Sequence, residues 1–191
     1  MILALDSSFA VGSVALVQDG RMLREIRVET PRGRGGAIFG ALQDILRDAE
    51  GLSRIVVGTG PGSYNGIRSA IAAGWGIATA RNIPLVGISS LLGLADGEYC
   101  AAGDARRGQY FFARVRDGRF LEAPCLVDAE ELRSRTGAGT VLTPAAVPFL
   151  PGAMMQMPEA ARLARLGAAS DPAMPEPIYL KPAFITAPRT R

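Results

Sequence analysis

A glycine-rich turn between a strand and a helix constrains this chain more than any other segment. Residues 58–80 read GTGPGSYNGIRSAIAAGWGIATA and follow a hydrophobic run at 53–57. A strand, a Gly-Pro-Gly-Ser turn and a helix start can together point backbone N–H groups at an anion. The helix is rich in Gly and Ala, so a second helix could pack very close to it. The segment predicts either a nucleotide-binding corner or a protein-docking helix.

The chain has 191 residues and no histidine. This absence removes Ser-His and Cys-His nucleophiles, the usual zinc ligand sets and the commonest general base. Net charge is +3, and the arginines are scattered rather than clustered as in a nucleic-acid-binding stripe. Lys181 is the only lysine. Cys100 and Cys125 are widely spaced, which predicts free, buried or half-buried thiols and no metal site.

The N-terminal apolar stretch is interrupted by Asp6 and has no basic region before it, so we expect no targeting segment. The longest apolar run, residues 69–80, is too short to cross a bilayer. We therefore expect a cytoplasmic protein that makes no membrane contact.

An internal repeat organises the chain. When Asp6 is aligned with Asp104, eight identities fall within residues 2–23 without a gap, and Asp-Gly-Arg at 19–21 matches Asp-Gly-Arg at 117–119. An Asp-Gly pair between alternating hydrophobic runs predicts a β-hairpin. Each half is therefore expected to begin with a three-stranded meander.

Helical periodicity and strand-like runs alternate after the first meander. Each half thus reads as βββ followed by alternating α and β, an α/β fold with mixed sheets in which the second half is reduced. We expect an N-terminal lobe at 1–97 and a smaller C-terminal lobe at 98–191. Strands are predicted at 54–58 and 85–88, helices at 36–49, 64–80, 89–95, 129–135 and 158–169, a Pro- and Gly-rich stretch at 136–158, and an extended tail at 172–188.

Such paired halves, each with an Asp at its first turn, resemble the actin, Hsp70 and sugar-kinase superfamily, whose halves are RNase H-like. Five segments resemble the TsaB (YeaZ) family more specifically: ILALDSSFAVGSVAL at 2–16, GPGSYNGIR at 60–68, PLVGISSLLGLA at 84–95, DARRGQY at 104–110 and PIYLK at 177–181. The chain departs from this pattern at PRGRGG (31–36), where many relatives carry a histidine, and in its short second half.

This resemblance implies a non-catalytic scaffold subunit. It would pair with a TsaD-like enzyme and a TsaE-like ATPase, or with a second copy of itself, and would support threonylcarbamoylation of the adenosine beside the tRNA anticodon, meeting tRNA only through the complex. The metal site of TsaD uses a His-x-x-x-His motif, which this chain lacks. The alternative is a small Mg²⁺-ATP-dependent phosphotransferase or ATPase of the same superfamily. A peptidase is disfavoured because histidine is absent.

The candidate nucleotide site is a vestigial one. No cofactor is expected to be required, and weak binding of ATP or ADP with Mg²⁺ is the open alternative. Each aspartate could instead cap a tight turn, Ser63 could cap the helix, and the glycines could form a sharp corner. The candidate residues are Asp6, Ser7, Ser8, Gly60, Gly62, Ser63, Arg68 and Asp104.

The small-residue helix is the candidate docking surface. One of its faces must cover the sheet, and the other could dock a neighbouring helix or also be buried within the monomer. The resemblance favours docking, and replacing Gly74 by Leu is expected to block it while leaving the fold intact. The candidate residues are Gly66, Ala70, Ala73 and Ile77 on one face, and Ile67, Ile71, Gly74 and Ala78 on the adjacent face.

Overall fold

A computed structural model describes residues 1–30, 36–137 and 139–181. The part of the predicted tail beyond residue 181, and all but the last residue of the 31–36 segment, lie outside the described residues. Ten strands form two five-stranded sheets within the described ranges. No helix in those ranges is long and apolar enough to cross a membrane.

The first sheet has the strand order β3-β2-β1-β4-β5. Strand β1 pairs antiparallel with β2 and parallel with β4, so the sheet is mixed as predicted. Its strands are β1 (Ile2–Asp6), β2 (Val11–Gln18), β3 (Arg21–Glu29), β4 (Arg54–Gly58) and β5 (Leu85–Ile88).

The second sheet has the order β10-β9-β6-β7-β8, which repeats the first order when read from its other edge. This agreement confirms two halves with related mixed sheets, although no helix separates β9 from β10 in the second. The second half is reduced, because β9 and β10 have three and two residues. Its strands are β6 (Glu98–Asp104), β7 (Tyr110–Arg116), β8 (Arg119–Val127), β9 (Val141–Thr143) and β10 (Met154–Met155).

Both predicted hairpins turn at their Asp-Gly pairs. Asp19 and Gly20 have φ angles of 50° and 75°, and Asp117 and Gly118 have 49° and 72°. Positive φ at both central residues matches the right-handed twist of the flanking strands, and Asp-Gly adopts it readily. The repeat seen in the sequence is thus a repeat of turn chemistry.

The helices are α1 (Ala37–Leu46), α2 (Tyr64–Arg81), α3 (Ala129–Thr136) and α4 (Ala160–Gly167). A 3-10 helix at Ser90–Gly93 replaces the helix predicted at 89–95. The predicted Pro- and Gly-rich stretch contains β9 and β10, which the sequence reading missed. Helices α1 and α2 cover one face of the first sheet through Ile38, Ile45, Ala70 and Ala78.

Helix α4 covers the opposite face of the first sheet, not the second sheet. Its Ala160, Leu163 and Ala164 pack against Ala4 of β1 and Val56 of β4. The lobe boundary at residue 97 falls between the sheets and stays a prediction. Residues 160–167, however, which that division assigned to the C-terminal lobe, complete the core of the first half.

Candidate functional site

Asp6 ends β1 with a fully buried carboxyl group that is enclosed by its own chain. The backbone N–H of Ser8 donates to Asp6 Oδ1 at 3.0 Å, and the Ser8 hydroxyl lies 2.6 Å from Oδ2. The Ser90 hydroxyl also bonds to Oδ2. A Cβ on Gly58 would lie 1.7 Å from the same oxygen, so only glycine fits beside the carboxyl.

Asp6 Oδ2 is part of a triangle of three closely spaced oxygen atoms. Asp6 Oδ2 and the Oγ atoms of Ser8 and Ser90 lie within hydrogen-bonding distance of one another, with the two hydroxyl oxygens 2.5 Å apart. Two hydroxyl protons can fill two of these three contacts, and a proton on Asp6 would fill the third. Burial likewise raises the pKa of the Asp6 carboxyl, and hydrogen bonds from Ser8 and Ser90 lower it in part. Both arguments favour a neutral Asp6.

The glycine-rich turn is folded against the end of β1. Gly62 has φ +156°, and its Cβ would lie 2.2 Å from the Ser8 carbonyl oxygen. A Cβ on Gly66 would lie 1.9 Å from the Ser7 carbonyl oxygen. The glycines are therefore needed for close backbone packing.

Three backbone N–H groups of this turn and of the helix start are bonded within the protein, those of Gly60, Ser63 and Gly66. Gly60 N–H donates to Ser90 Oγ at 2.9 Å, and Ser63 N–H donates to the Ser8 carbonyl at 2.6 Å. Ser63 Oγ accepts from Gly66 N–H at 3.2 Å, which confirms Ser63 as the N-cap of α2. Ser7 Oγ donates to the Gly66 carbonyl at 2.7 Å. These groups form a structural corner, the alternative weighed against an anion site.

Both repeat aspartates form the turn predicted as the alternative to metal binding. Asp104 Oδ1 accepts from Arg106 N–H at 2.7 Å, as Asp6 Oδ1 accepts from Ser8 N–H. An aspartate side chain that accepts a hydrogen bond from the N–H group two residues later closes an Asx turn. The two differ in burial, since Asp6 is sealed and Asp104 is exposed.

Arg68 lies on the outside of α2 and bonds away from the corner. Its guanidinium donates to Tyr64 Oη at 2.8 Å and lies 5.1 Å from the centre of the Tyr64 ring. The structure thus brings six of the eight candidates together and leaves Arg68 and Asp104 bonded elsewhere. The six are Asp6, Ser7, Ser8, Gly60, Gly62 and Ser63.

Ser90 belongs to this cluster, although it is not among the candidate residues predicted from the sequence. The strand order could have indicated its place in the cluster. Strands β1, β4 and β5 are parallel, so Asp6, Gly58 and the residues after Ile88 lie together at the carboxyl ends of these strands. No group of three or more His, Cys, Asp or Glu among residues 1–30, 36–137 and 139–181 is placed to hold a metal. Within those ranges Cys100 and Cys125 are free, the first buried and the second half-buried, as predicted.

The candidate docking residues of α2 point inwards. Five of the eight are buried against the chain's own core, namely Gly66, Ile67, Ala70, Gly74 and Ala78. The other three, Ile71, Ala73 and Ile77, are partly buried and pack on the same cluster.

Gly74 in particular cannot test docking. Its Cβ would lie 2.4 Å from Val57 Cγ1 and 3.3 Å from Leu85 Cδ1, so a larger side chain would strike the sheet. The expectation that Gly74→Leu leaves the fold intact is wrong, because no space exists for the leucine.

The outward face of α2 carries different residues. Trp75 is 55% exposed, and the small residues Ala72 and Gly76 lie beside it at helical spacing with Thr79. On α1, in the same layer, Phe39 is 46% exposed. An exposed Trp on a small-residue helix face has the composition of an interface rather than of ordinary surface.

Comparison with known proteins agrees with this architecture. A family model described as TsaD, tRNA N6-adenosine threonylcarbamoyltransferase, matches residues 36–124. The structure of YeaZ from Pseudomonas aeruginosa superposes with a TM-score of 0.75 at 25% identity, over 94% of this chain and 99% of that one.

Sequence relatives point the same way. The tRNA threonylcarbamoyladenosine biosynthesis protein TsaB of Escherichia coli is 32% identical over 127 residues, covering 60% of this chain and 54% of the relative. An uncharacterised protein of Mycobacterium tuberculosis, Rv3421c, is 30% identical over 150 residues, covering 75% of this chain and 71% of the relative.

Two mixed sheets with one shared strand order give an α/β fold of two RNase H-like halves. The chain belongs to the TsaB (YeaZ) family. It spans about half the length of the curated TsaB relative from Escherichia coli.

Proposed function

We propose that this protein is a non-catalytic subunit that docks a TsaD-type enzyme and supports threonylcarbamoylation of the adenosine next to the tRNA anticodon. The observation that carries the proposal is the enclosure of Asp6. A fully buried carboxyl group whose oxygens are bonded to Ser8 and Ser90 is poorly placed to bind Mg²⁺, which keeps several water ligands. The chemistry is then left to the partner.

The outward face of α2 is the proposed docking surface. Trp75 offers a large, exposed aromatic side chain, and Ala72 and Gly76 allow a partner helix to lie close. The sheet-facing glycines beneath it keep α2 pressed against β4, so the surface is presented by a rigid element. We infer that the same face joins two copies when the chain is alone.

The remaining partners follow from the family. A TsaE-like ATPase would join the complex, and tRNA would be met through the complex rather than by this chain alone. No cofactor is required in this proposal, and the protein would work in the cytoplasm.

A co-purification experiment with a TsaD-type subunit tests the docking face. Trp75→Ala is expected to weaken the complex about 30-fold or more, since central tryptophans in interfaces contribute about 2 kcal/mol or more. Leu121→Ala is the matched control, because Leu121 is 51% exposed but lies on β8 of the other sheet. Equal binding by wild type and Trp75→Ala, with both variants folded by circular dichroism, would refute this face.

Titration calorimetry tests the non-catalytic assignment separately. The isolated chain is expected to show no tight binding of ATP with Mg²⁺. Tight binding that depends on Mg²⁺ and disappears in Asp6→Asn would instead support the phosphotransferase or ATPase alternative.

A further inference from the structure

Residues 172–181, here called the strap, run from the region after α4 along the first half and reach the second half. Pro175 is buried against β5, where the Cβ position of Gly87 lies 3.0 Å from Pro175 Cβ. Ile178 N–H donates to the Thr59 carbonyl at 2.8 Å. The strap is therefore attached directly beside the glycine-rich turn.

The end of the strap has three further attachments. The ring of Tyr179 stacks on Tyr64 of α2 with centroids 4.9 Å apart. Leu180 packs on the hydrophobic cluster that contains Phe111 of β7. The Lys181 ammonium then donates to two backbone carbonyls of the second half, Ala105 at 2.9 Å and Arg106 at 2.7 Å.

Lys181 is the one lysine in a chain with 21 basic residues. A lysine ammonium is compact and points three rotatable N–H donors at nearby acceptors, whereas the planar arginine guanidinium suits flat, paired acceptors. Two carbonyls of adjacent residues converging on one nitrogen match the ammonium. A chain that otherwise uses arginine therefore has a physical reason for lysine here.

The turn that receives Lys181 has an unusual backbone. Arg106, Arg107 and Gly108 have φ angles of 66°, 58° and 70°, and the first two carry side chains that disfavour this left-handed region. A cation bound to the carbonyls of Ala105 and Arg106 stabilises the turn in that conformation. The same turn is thus bonded by two side chains: Asp104 accepts from its Arg106 N–H group, and Lys181 donates to its carbonyl groups.

We propose that the strap clamps the two halves together in one relative orientation, with Lys181 as its attachment to the second half. It joins the corner that contains Gly60 to the turn that begins at Asp104, and both residues are candidates for the predicted nucleotide site. In this chain a peptide segment bridges the halves there. This inference does not depend on the proposed docking of a TsaD-type enzyme.

Native-state hydrogen exchange on the full chain tests the clamp. In Lys181→Met, the Ile178 amide is expected to exchange about tenfold faster or more, while the Leu3 amide in β1 stays protected. Lys181→Arg should behave like Lys181→Met, because the guanidinium does not match the two carbonyls. Met174→Ala is the control within the strap, since Met174 is 64% exposed.

Tyr179→Ala provides a second variant and should also speed exchange at Ile178, by removing the attachment to Tyr64. Unchanged exchange at Ile178 in both Lys181→Met and Tyr179→Ala would overturn the clamp. Wild-type exchange in Lys181→Arg would overturn the assignment to the ammonium group.

Discussion

Gly74 and Gly76 lie two residues apart in α2 but have opposite surroundings, so alanine at each position makes a matched pair. A Cβ on Gly74 would lie 2.4 Å from the fully buried Val57 side chain. At Gly76, no atom of the described residues lies within 4 Å of the added Cβ, apart from its chain neighbours and its own helix backbone. The helix-forming advantage of Ala over Gly is the same in both cases.

The magnitudes follow from these distances. Gly76→Ala is expected to raise the free energy of unfolding by about 1 kcal/mol, the usual Gly-to-Ala gain inside a helix. Gly74→Ala gains the same amount but overpacks the core, which costs about 1–3 kcal/mol. The two variants should therefore differ by about 1–3 kcal/mol, with Gly74→Ala the less stable.

Urea denaturation followed by circular dichroism measures the difference. The urea concentration at the midpoint should shift, while the slope of the unfolding free energy against urea concentration stays constant, since neither change alters the surface exposed on unfolding. Equal stability of the two variants would refute the argument that α2 presses Gly74 against β4. Greater stability of Gly74→Ala would refute it more strongly.

Two further predictions concern buried polar groups. Because burial raises the pKa of Asp6 above its ordinary value of 3.8, the folded chain holds the proton more tightly, and stability should fall as pH rises from about 4 through the folded pKa. Asp6→Asn should therefore be more stable than wild type at pH 7 in urea denaturation. If the difference in free energy of unfolding between the two did not shrink below pH 4, the prediction would be contradicted. The buried Ser13 Oγ accepts a hydrogen bond from Ala160 N–H at 2.8 Å. Ser13→Ala should therefore lower the free energy of unfolding by about 1–3 kcal/mol in the same assay. Ser134 is exposed, so Ser134→Ala should change this free energy little.

Turn chemistry and periodicity predicted most of the fold. The Asp-Gly pairs at 19–20 and 117–118 located both meanders because their positive φ angles are a local property of two residues. The start of helix α2 was predicted from the Gly-Pro-Gly-Ser turn, whose last residue, Ser63, is the N-cap. Local signals of this kind are present in the sequence itself.

The features that the sequence does not predict depend on contacts between residues far apart in the chain. The pattern of α4 indicates a buried face but does not say which sheet will cover it. Strand β10 has only two residues, and its pairing with β9 defines it rather than any periodicity. Ser90 becomes part of the Asp6 cluster only because parallel strands bring their ends together.

The small residues of α2 face inwards, which is one of the two alternatives that the sequence left open. Glycine and alanine at helical spacing fit close packing against a sheet as well as against a partner helix. The sequence does not distinguish these cases, since the residue types are the same. In the structure the outer side is marked by Trp75, which is 55% exposed, together with Ala72, Gly76 and Thr79.

The placement of α4 has a consequence for synthesis on the ribosome. Residues 160–167 supply the apolar cover for Ala4, Val17 and Val56, so one face of the first sheet stays uncovered until most of the chain has been translated. The core of the first half is therefore incomplete when its own strands emerge. It is completed by a segment translated after the second sheet, so full burial of the first sheet depends on synthesis of both halves.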